Sequence, residues 1–111
     1  MESKLNSDIA GIVERIVQTA RPEQVVLFGS AARGDGDKCS DVDLLVIQAE
    51  PFGRSRSRIA EIGRIERALG ATPIPTDILI YSADEVERYR DAPNHIVCQA
   101  LTEGLVVYAR N

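Results

Sequence analysis

The sequence has no long hydrophobic run, no excess of basic charge, two cysteines and one histidine. Each shortage excludes something. The longest apolar stretch falls far short of the roughly 20 residues that span a bilayer. Thirteen Lys and Arg stand against 17 Asp and Glu, a net charge of -4, so bulk nucleic-acid binding through a basic surface is not expected. Cys39 and Cys98 lie in no Cys-x-x-Cys or Cys/His pattern, which argues against zinc. The lone His95 has no local catalytic partner and reads as a satisfied helix histidine. The start, Met1-Glu2-Ser3-Lys4, lacks the basic stretch and apolar block of a signal peptide, so a cytoplasmic chain is expected.

What remains is one domain's worth of globular sequence, residues 1–111, with 44% hydrophobic and 27% charged residues. Leu5, Ile9, Ile12, Val13, Ile16, Val17 and Ala20 recur at helical spacing until Arg21-Pro22 stops them. Val25–Phe28 is a short apolar run ending at Gly29 and predicts a buried strand; Asp41–Ile47 predicts a second. Residues 55–69 predict a helix through Ile59, Ile62, Ile65 and Leu69, with Gly70 as its cap. Thr76–Tyr81 predicts a third strand. Ser82-Ala83-Asp84-Glu85 has the form of a capping box for a short helix to about Tyr89. Asp91 or Asn94 is the expected cap of another helix, ended by Gly104, before a last strand at Leu105–Tyr108. The expected class is α/β (α+β): a small mixed β-sheet flanked by helices.

The chemistry concentrates in Gly29-Ser30-Ala31-Ala32-Arg33-Gly34 and Ser40-Asp41-Val42-Asp43-Leu44. Alternation along a strand puts Asp41 and Asp43 on one face. Two carboxylates that close repel, and a divalent cation with a taste for hard oxygen ligands, such as Mg²⁺, removes the conflict. Gly29 lets the backbone turn close to a ligand, where the Ser30 hydroxyl and nearby amides can hold phosphate oxygens. Arg33 meets phosphate or pairs with a carboxylate. Asp77 opens the third strand; if that strand neighbours the second, a three-carboxylate cluster results, which can hold two metal ions about 4 Å apart. Two rival motifs fail. Gly29-x4-Gly34 is followed by Asp35-Gly36 where a P-loop needs Lys and Ser or Thr. Asp35-x-Asp37-x-Cys39 opens like a calcium loop but has Ser40 at its sixth position and Val46 at its twelfth. Arg54, Arg56, Arg58, Arg64 and Arg67 form a local basic run, readable as a helix face paired with Glu61 and Glu66 or as a patch for phosphates, an acidic partner or RNA.

Gly29-Ser30-x-Ala32-Arg33-Gly34-x5-Ser40-Asp41-x-Asp43-Leu44 resembles the signature of the nucleotidyltransferase superfamily related to DNA polymerase β. In its short form the chain is similar to the minimal nucleotidyltransferases, antitoxins encoded beside HEPN-domain toxins. That resemblance implies the nucleotidyltransferase fold and an Mg²⁺-dependent transfer of AMP from ATP to a hydroxyl, typically a tyrosine of the toxin, silencing its ribonuclease. It implies that Asp41 and Asp43 ligate two Mg²⁺ ions, and that Asp77 ligates the catalytic metal and helps activate the acceptor hydroxyl. Gly29, Ser30, Arg33 and Ser40 fall to the nucleotide and its phosphates. Two other readings stand beside this one: an antitoxin that only masks its partner, and a transferase acting on a small molecule or an RNA end. The shortness of the sequence favours an acceptor carried by a partner protein.

Overall fold

The computed structural model describes residues 7–29, 32, 41–72 and 74–110. Among them are four helices and one four-stranded sheet. In chain order these are α1 (Ser7–Ala20), β1 (Gln24–Phe28), β2 (Val42–Gln48), α2 (Arg58–Leu69), β3 (Thr76–Ser82), α3 (Ala83–Tyr89), α4 (Ile96–Glu103) and β4 (Leu105–Ala109). The sheet order is β3-β2-β1-β4. The β2–β3 pair is parallel, joined across α2, and the other two pairs are antiparallel, so the sheet is mixed as expected.

Both faces of the sheet are covered, which explains why its central strands read as continuous apolar runs. Val25, Leu27, Val42, Leu44 and Val46 pack with Ile9, Ile12, Val13 and Ile16 of α1 and Ile65 and Leu69 of α2. Val26, Phe28, Leu45 and Ile47 pack on the other face with Val86 of α3 and Val97 and Ala100 of α4. Each fully buried Leu or Val in this double layer contributes roughly 1.5–3 kcal/mol. α1 ends where Arg21 takes a left-handed φ of 49° and Pro22 denies the next helical donor. No helix among the described residues is long and apolar enough to cross a membrane.

Two helix starts differ from the sequence expectation. α2 begins at Arg58 rather than near residue 55. Gly53 and Arg56 exchange backbone hydrogen bonds (2.9 and 3.2 Å), forming a tight turn that holds the intervening residues out of a helix. Ser57 then caps α2 by accepting from the Ala60 amide at 3.1 Å. α4 is capped by His95, not by Asp91 or Asn94: its Nδ1 accepts from the Val97 amide at 3.0 Å. The ring is fixed for this by stacking on Tyr89 (centroids 3.9 Å apart, planes 2° from parallel) and by an edge contact with Tyr81 at 5.6 Å. His95 is thus a satisfied structural histidine. The capping box forms as read: Ser82 and Glu85 satisfy one another's backbone amides at the start of α3.

Glu85 has a second task. Its carboxylate receives both terminal nitrogens of Arg58, which also donates to the Ile80 carbonyl at 2.6 Å. The Arg58 guanidinium lies over Phe52 at 4.7 Å and Tyr81 at 5.1 Å. One side chain therefore ties α2 to β3 and α3. The Arg58 hydrogen bond outweighs burial and holds the Glu85 carboxyl below its ordinary value of 4.5. Arg58→Met keeps most of the apolar stem but strands Glu85, and should cost about 1–2 kcal/mol at pH 7. Because the folded pKa of Glu85 is depressed, its contribution is present above the ordinary carboxyl range and lost as pH falls through the folded value. Urea midpoints of wild type and variant should therefore converge toward pH 3; an equal gap at pH 7 and pH 3 would refute the pairing.

Candidate active site

Three strands meet at one end of the sheet. β1 arrives there with Phe28 and Gly29, and β2 and β3 both start there. Asp43 is paired with Phe28 on one side and directly with Asp77 on the other. The alternation that points Leu45 and Ile47 toward α3 and α4 gives Asp43 and Asp77 the same face of the sheet, ahead of the residues those helices cover. Asp41 immediately precedes β2 and is exposed, Asp43 is half-buried, and Asp77 is exposed.

Gly29 is what allows Asp43 to sit there. Its φ is +77°, the left-handed region where a Cβ is strained. A Cβ built on Gly29 would overlap Oδ2 of Asp43 and stand 3.3 Å from its Cγ. The end of β1 therefore leaves, by lacking a side chain, the space the Asp43 carboxylate fills. Beyond it the Ala32 amide donates to the Gly29 carbonyl at 3.1 Å, and Ala32 packs against the core.

The electrostatics of Asp43 are those of a carboxylate in conflict. Burial raises its pKa above the ordinary 3.8, and the charges of Asp77 and Asp41 and a side-chain hydrogen bond with Asp77 raise it further. A proton or a cation between Asp43 and Asp77 resolves such a conflict. The donors are all hard oxygens, which suits Mg²⁺ or a similar ion that retains waters and shares substrate phosphate oxygens. Among the described residues no three acidic, histidine or cysteine side chains are arranged around one metal position. The close unit is thus the Asp43–Asp77 pair, with Asp41 acting on it through space. A cation there would be held by few protein ligands and would draw the rest from solvent and substrate.

The structure thus brings Gly29, Asp43 and Asp77 together, with Asp41 next to them. Ser30, Arg33, Cys39 and Ser40 lie outside the described residues. The basic run is largely engaged within the fold. Arg64 binds Glu61 (2.8 and 3.1 Å) and the Thr19 carbonyl, Arg56 binds Gln48 at 2.6 Å, and Arg58 binds Glu85, while Arg54, Arg67 and Glu66 stand exposed. The partners Gln48 and Glu85 carry no local signal that spacing alone could have read, because each contact depends on how strands and helices pack.

Residues 7–101 match the family described as "Nucleotidyltransferase domain". No curated protein matches the sequence. Solved structures that share the fold include the following three. A mutant of the toxin-antitoxin complex MntA-HpeT aligns with TM-score 0.61 and 21% identity, over 96% of this chain and 75% of that one. A toxin-antitoxin crystallised with AMP-PNP aligns with TM-score 0.56 and 19% identity, over 96% and 76%. A Sulfolobus solfataricus protein assigned as a nucleotidyltransferase aligns with TM-score 0.56 and 21% identity, over 99% and 90%.

Proposed function

The chain belongs to the nucleotidyltransferase domain family, and from that premise we propose that it transfers AMP from ATP to a hydroxyl of a partner toxin and acts as its antitoxin. The observation that carries the reading is the Asp43–Asp77 pair seated against the side-chain-free Gly29. A pair of carboxylates in mutual repulsion is the arrangement that metal-assisted phosphoryl chemistry uses. Two of the structures with this fold are toxin-antitoxin complexes, one of them crystallised with AMP-PNP, which supports a nucleotide and a toxin partner for this chain.

In this reading Asp41, Asp43 and Asp77 hold two Mg²⁺ ions, which supply positive charge to the α-phosphate and the departing pyrophosphate. Gly29, Ser30, Arg33 and Ser40 hold the triphosphate. Asp77, on the exposed side of the pair, takes the proton of the acceptor hydroxyl. The hydroxyl oxygen bonds to the α-phosphorus, the bond from that phosphorus to the bridging oxygen breaks, and pyrophosphate leaves. The protein's own contribution is positional and electrostatic. The acceptor is a tyrosine of a HEPN-type ribonuclease, in a cytoplasmic complex.

The test is intact-mass analysis of the toxin encoded beside this chain after incubation with the protein, ATP and Mg²⁺. Addition of AMP to the toxin, with loss of its ribonuclease activity, is the expected result. Neutralisation without any mass change would replace transfer by masking. Transfer to a small molecule or an RNA end, with the toxin unlabelled, would replace the protein acceptor.

A further inference from the structure

A polar cavity lies at the end of the sheet opposite Asp43. It encloses about 430 Å³ where the end of α1, the end of β2 and the start of α2 converge, and Arg21, Arg56, Arg64 and Arg110 line it against Glu50 and Glu61. Gln48, at the floor, is five residues along β2 from Asp43, roughly 16 Å at a strand's rise. The cavity is therefore separate from the carboxylate pair and from Gly29.

Its charge runs against that of the chain. Four arginines and two glutamates make the lining cationic in a protein of net charge -4. Part of that charge is already used. The buried Glu61 takes Arg64 (2.8 Å) and Gln48 (2.7 Å), and those hydrogen bonds outweigh its burial and keep its carboxyl below the ordinary range. Arg56 gives one terminal nitrogen to Gln48 at 2.6 Å.

The remaining donors are only partly used: Arg56 also donates to the Glu50 carbonyl at 3.3 Å and its guanidinium lies over Phe52 at 4.3 Å. Arg56 Nε is buried and has no hydrogen-bond partner among the described residues. Its nearest carboxylate, Glu50, stands 3.7 Å away on an exposed side chain, too long for a hydrogen bond. No side-chain hydrogen bond or ion pair occupies the Arg21 guanidinium among the described residues. Arg21 is also the one non-glycine described residue with a left-handed φ, 49°. Among the described residues the Arg110 guanidinium reaches the Arg21 carbonyl at 3.4 Å and Glu23 at 3.9 Å. The Arg56 Nε–H is covered, so a ligand reaches it only as that side chain turns; the donors open to the cavity as it stands are those of Arg21 and Arg110.

We propose that this cavity binds a small phosphoryl anion, a phosphate or diphosphate group free or carried on a nucleotide. Guanidinium groups arriving from the end of α1, the segment before α2 and the C-terminal end of β4 present donors from three directions. A tetrahedral oxyanion can accept from all three, and a planar carboxylate has only two oxygens to offer. The volume lies within the usual range for small-molecule sites.

The test is a titration of the metal-free protein at fixed ionic strength, followed by amide and Arg Nε proton–nitrogen spectra. The probes are inorganic phosphate, inorganic pyrophosphate and AMP. Pyrophosphate should give saturable shifts at Arg21, Gln48, Arg110 and Arg56 Nε. Asp43→Asn, at the far end of the sheet, should leave them unchanged. The Arg21→Gln/Arg110→Gln double variant removes no internal ion pair closer than 3.9 Å and should weaken binding at least tenfold. AMP binding as tightly as pyrophosphate would identify a nucleotide as the source; pyrophosphate or phosphate alone would identify the free anion. Shifts confined to the Gly29 end, the absence of saturation, or unchanged affinity in the double variant would overturn the proposal. So would shifts produced by an oligoglutamate peptide and not by pyrophosphate, which would make the cavity a protein contact. None of these outcomes depends on whether AMP transfer occurs.

Discussion

Asp43→Asn is expected to lower nucleotidyl transfer by about 10²–10³-fold or more, and yet to melt at a higher temperature than the wild type in metal-free buffer above pH 6. The two effects share one cause. Asp43 sits half-buried between Asp77 and the end of β1, and its pKa is raised by burial, by Asp77 and by Asp41. Folding therefore binds its proton more tightly than the unfolded chain does. For a carboxyl with a raised folded pKa, stability is greatest below the ordinary value of 3.8 and falls as pH rises toward the folded value. Above that window the ionised pair is a standing cost to the fold. Asparagine keeps the shape and a hydrogen bond to Asp77 while removing the repulsion. The same substitution removes a negative oxygen from the position proposed to hold the cation, so transfer should collapse. Thermal melts from pH 4 to 8 in a chelator, beside label transfer from α-labelled ATP, separate the two. Undiminished transfer would remove Asp43 from the site. A lower melting temperature would mean that the Asp43 carboxylate supports the fold instead of straining it.

Gly29→Ala should be damaging in both respects. The backbone at φ +77° is costly for alanine, about 1–3 kcal/mol, and the added methyl would meet the Asp43 carboxylate. For a chain of this size each kcal/mol lowers the melting temperature by roughly 4–8 °C. The carboxylate must also leave the place it occupies between Gly29 and Asp77, so transfer should fall at least as far as in Asp43→Asn. The steric part can be separated from the backbone part by a double-mutant cycle. In an Asp43→Ala background the clash is gone and only the backbone strain remains, so Gly29→Ala should cost measurably less there. Equal costs in both backgrounds would show that the contact with Asp43 is immaterial.

How far the sequence carries depends on how local each determinant is. The Ser82–Glu85 capping box, the Gly70 and Gly104 caps and the amphipathic face of α1 are local, and all are found where the pattern puts them. The spacing of Asp41 and Asp43 is equally local, but β2 begins at Val42, so only Asp43 stands on the strand and Asp41 immediately precedes it. The pairing of Asp43 with Asp77 is different. It required β3 to lie beside β2 in one particular register, and residue spacing states only the condition, not its fulfilment. The cap of α4 is not legible in the spacing, which offers Asp91 or Asn94, because His95 is held in place by stacking on Tyr89 of α3 and an edge contact with Tyr81 of β3. In the sequence Arg58 is one member of a basic run; its partner Glu85 lies beyond a helix and a strand, and only packing brings them together.

The parallel step from β2 to β3 sets an order of events. The antiparallel β1–β2 pair is completed by chain that has emerged by Gln48, but Asp43 gains its partner only after α2 has crossed back and β3 has docked. Parallel pairings across a helix are the late and slow contacts of such topologies. A chain growing from its N-terminus thus carries Gly29 and Asp43 for some time without a competent carboxylate pair. Assembly of the proposed site is therefore tied to the closure of one crossover.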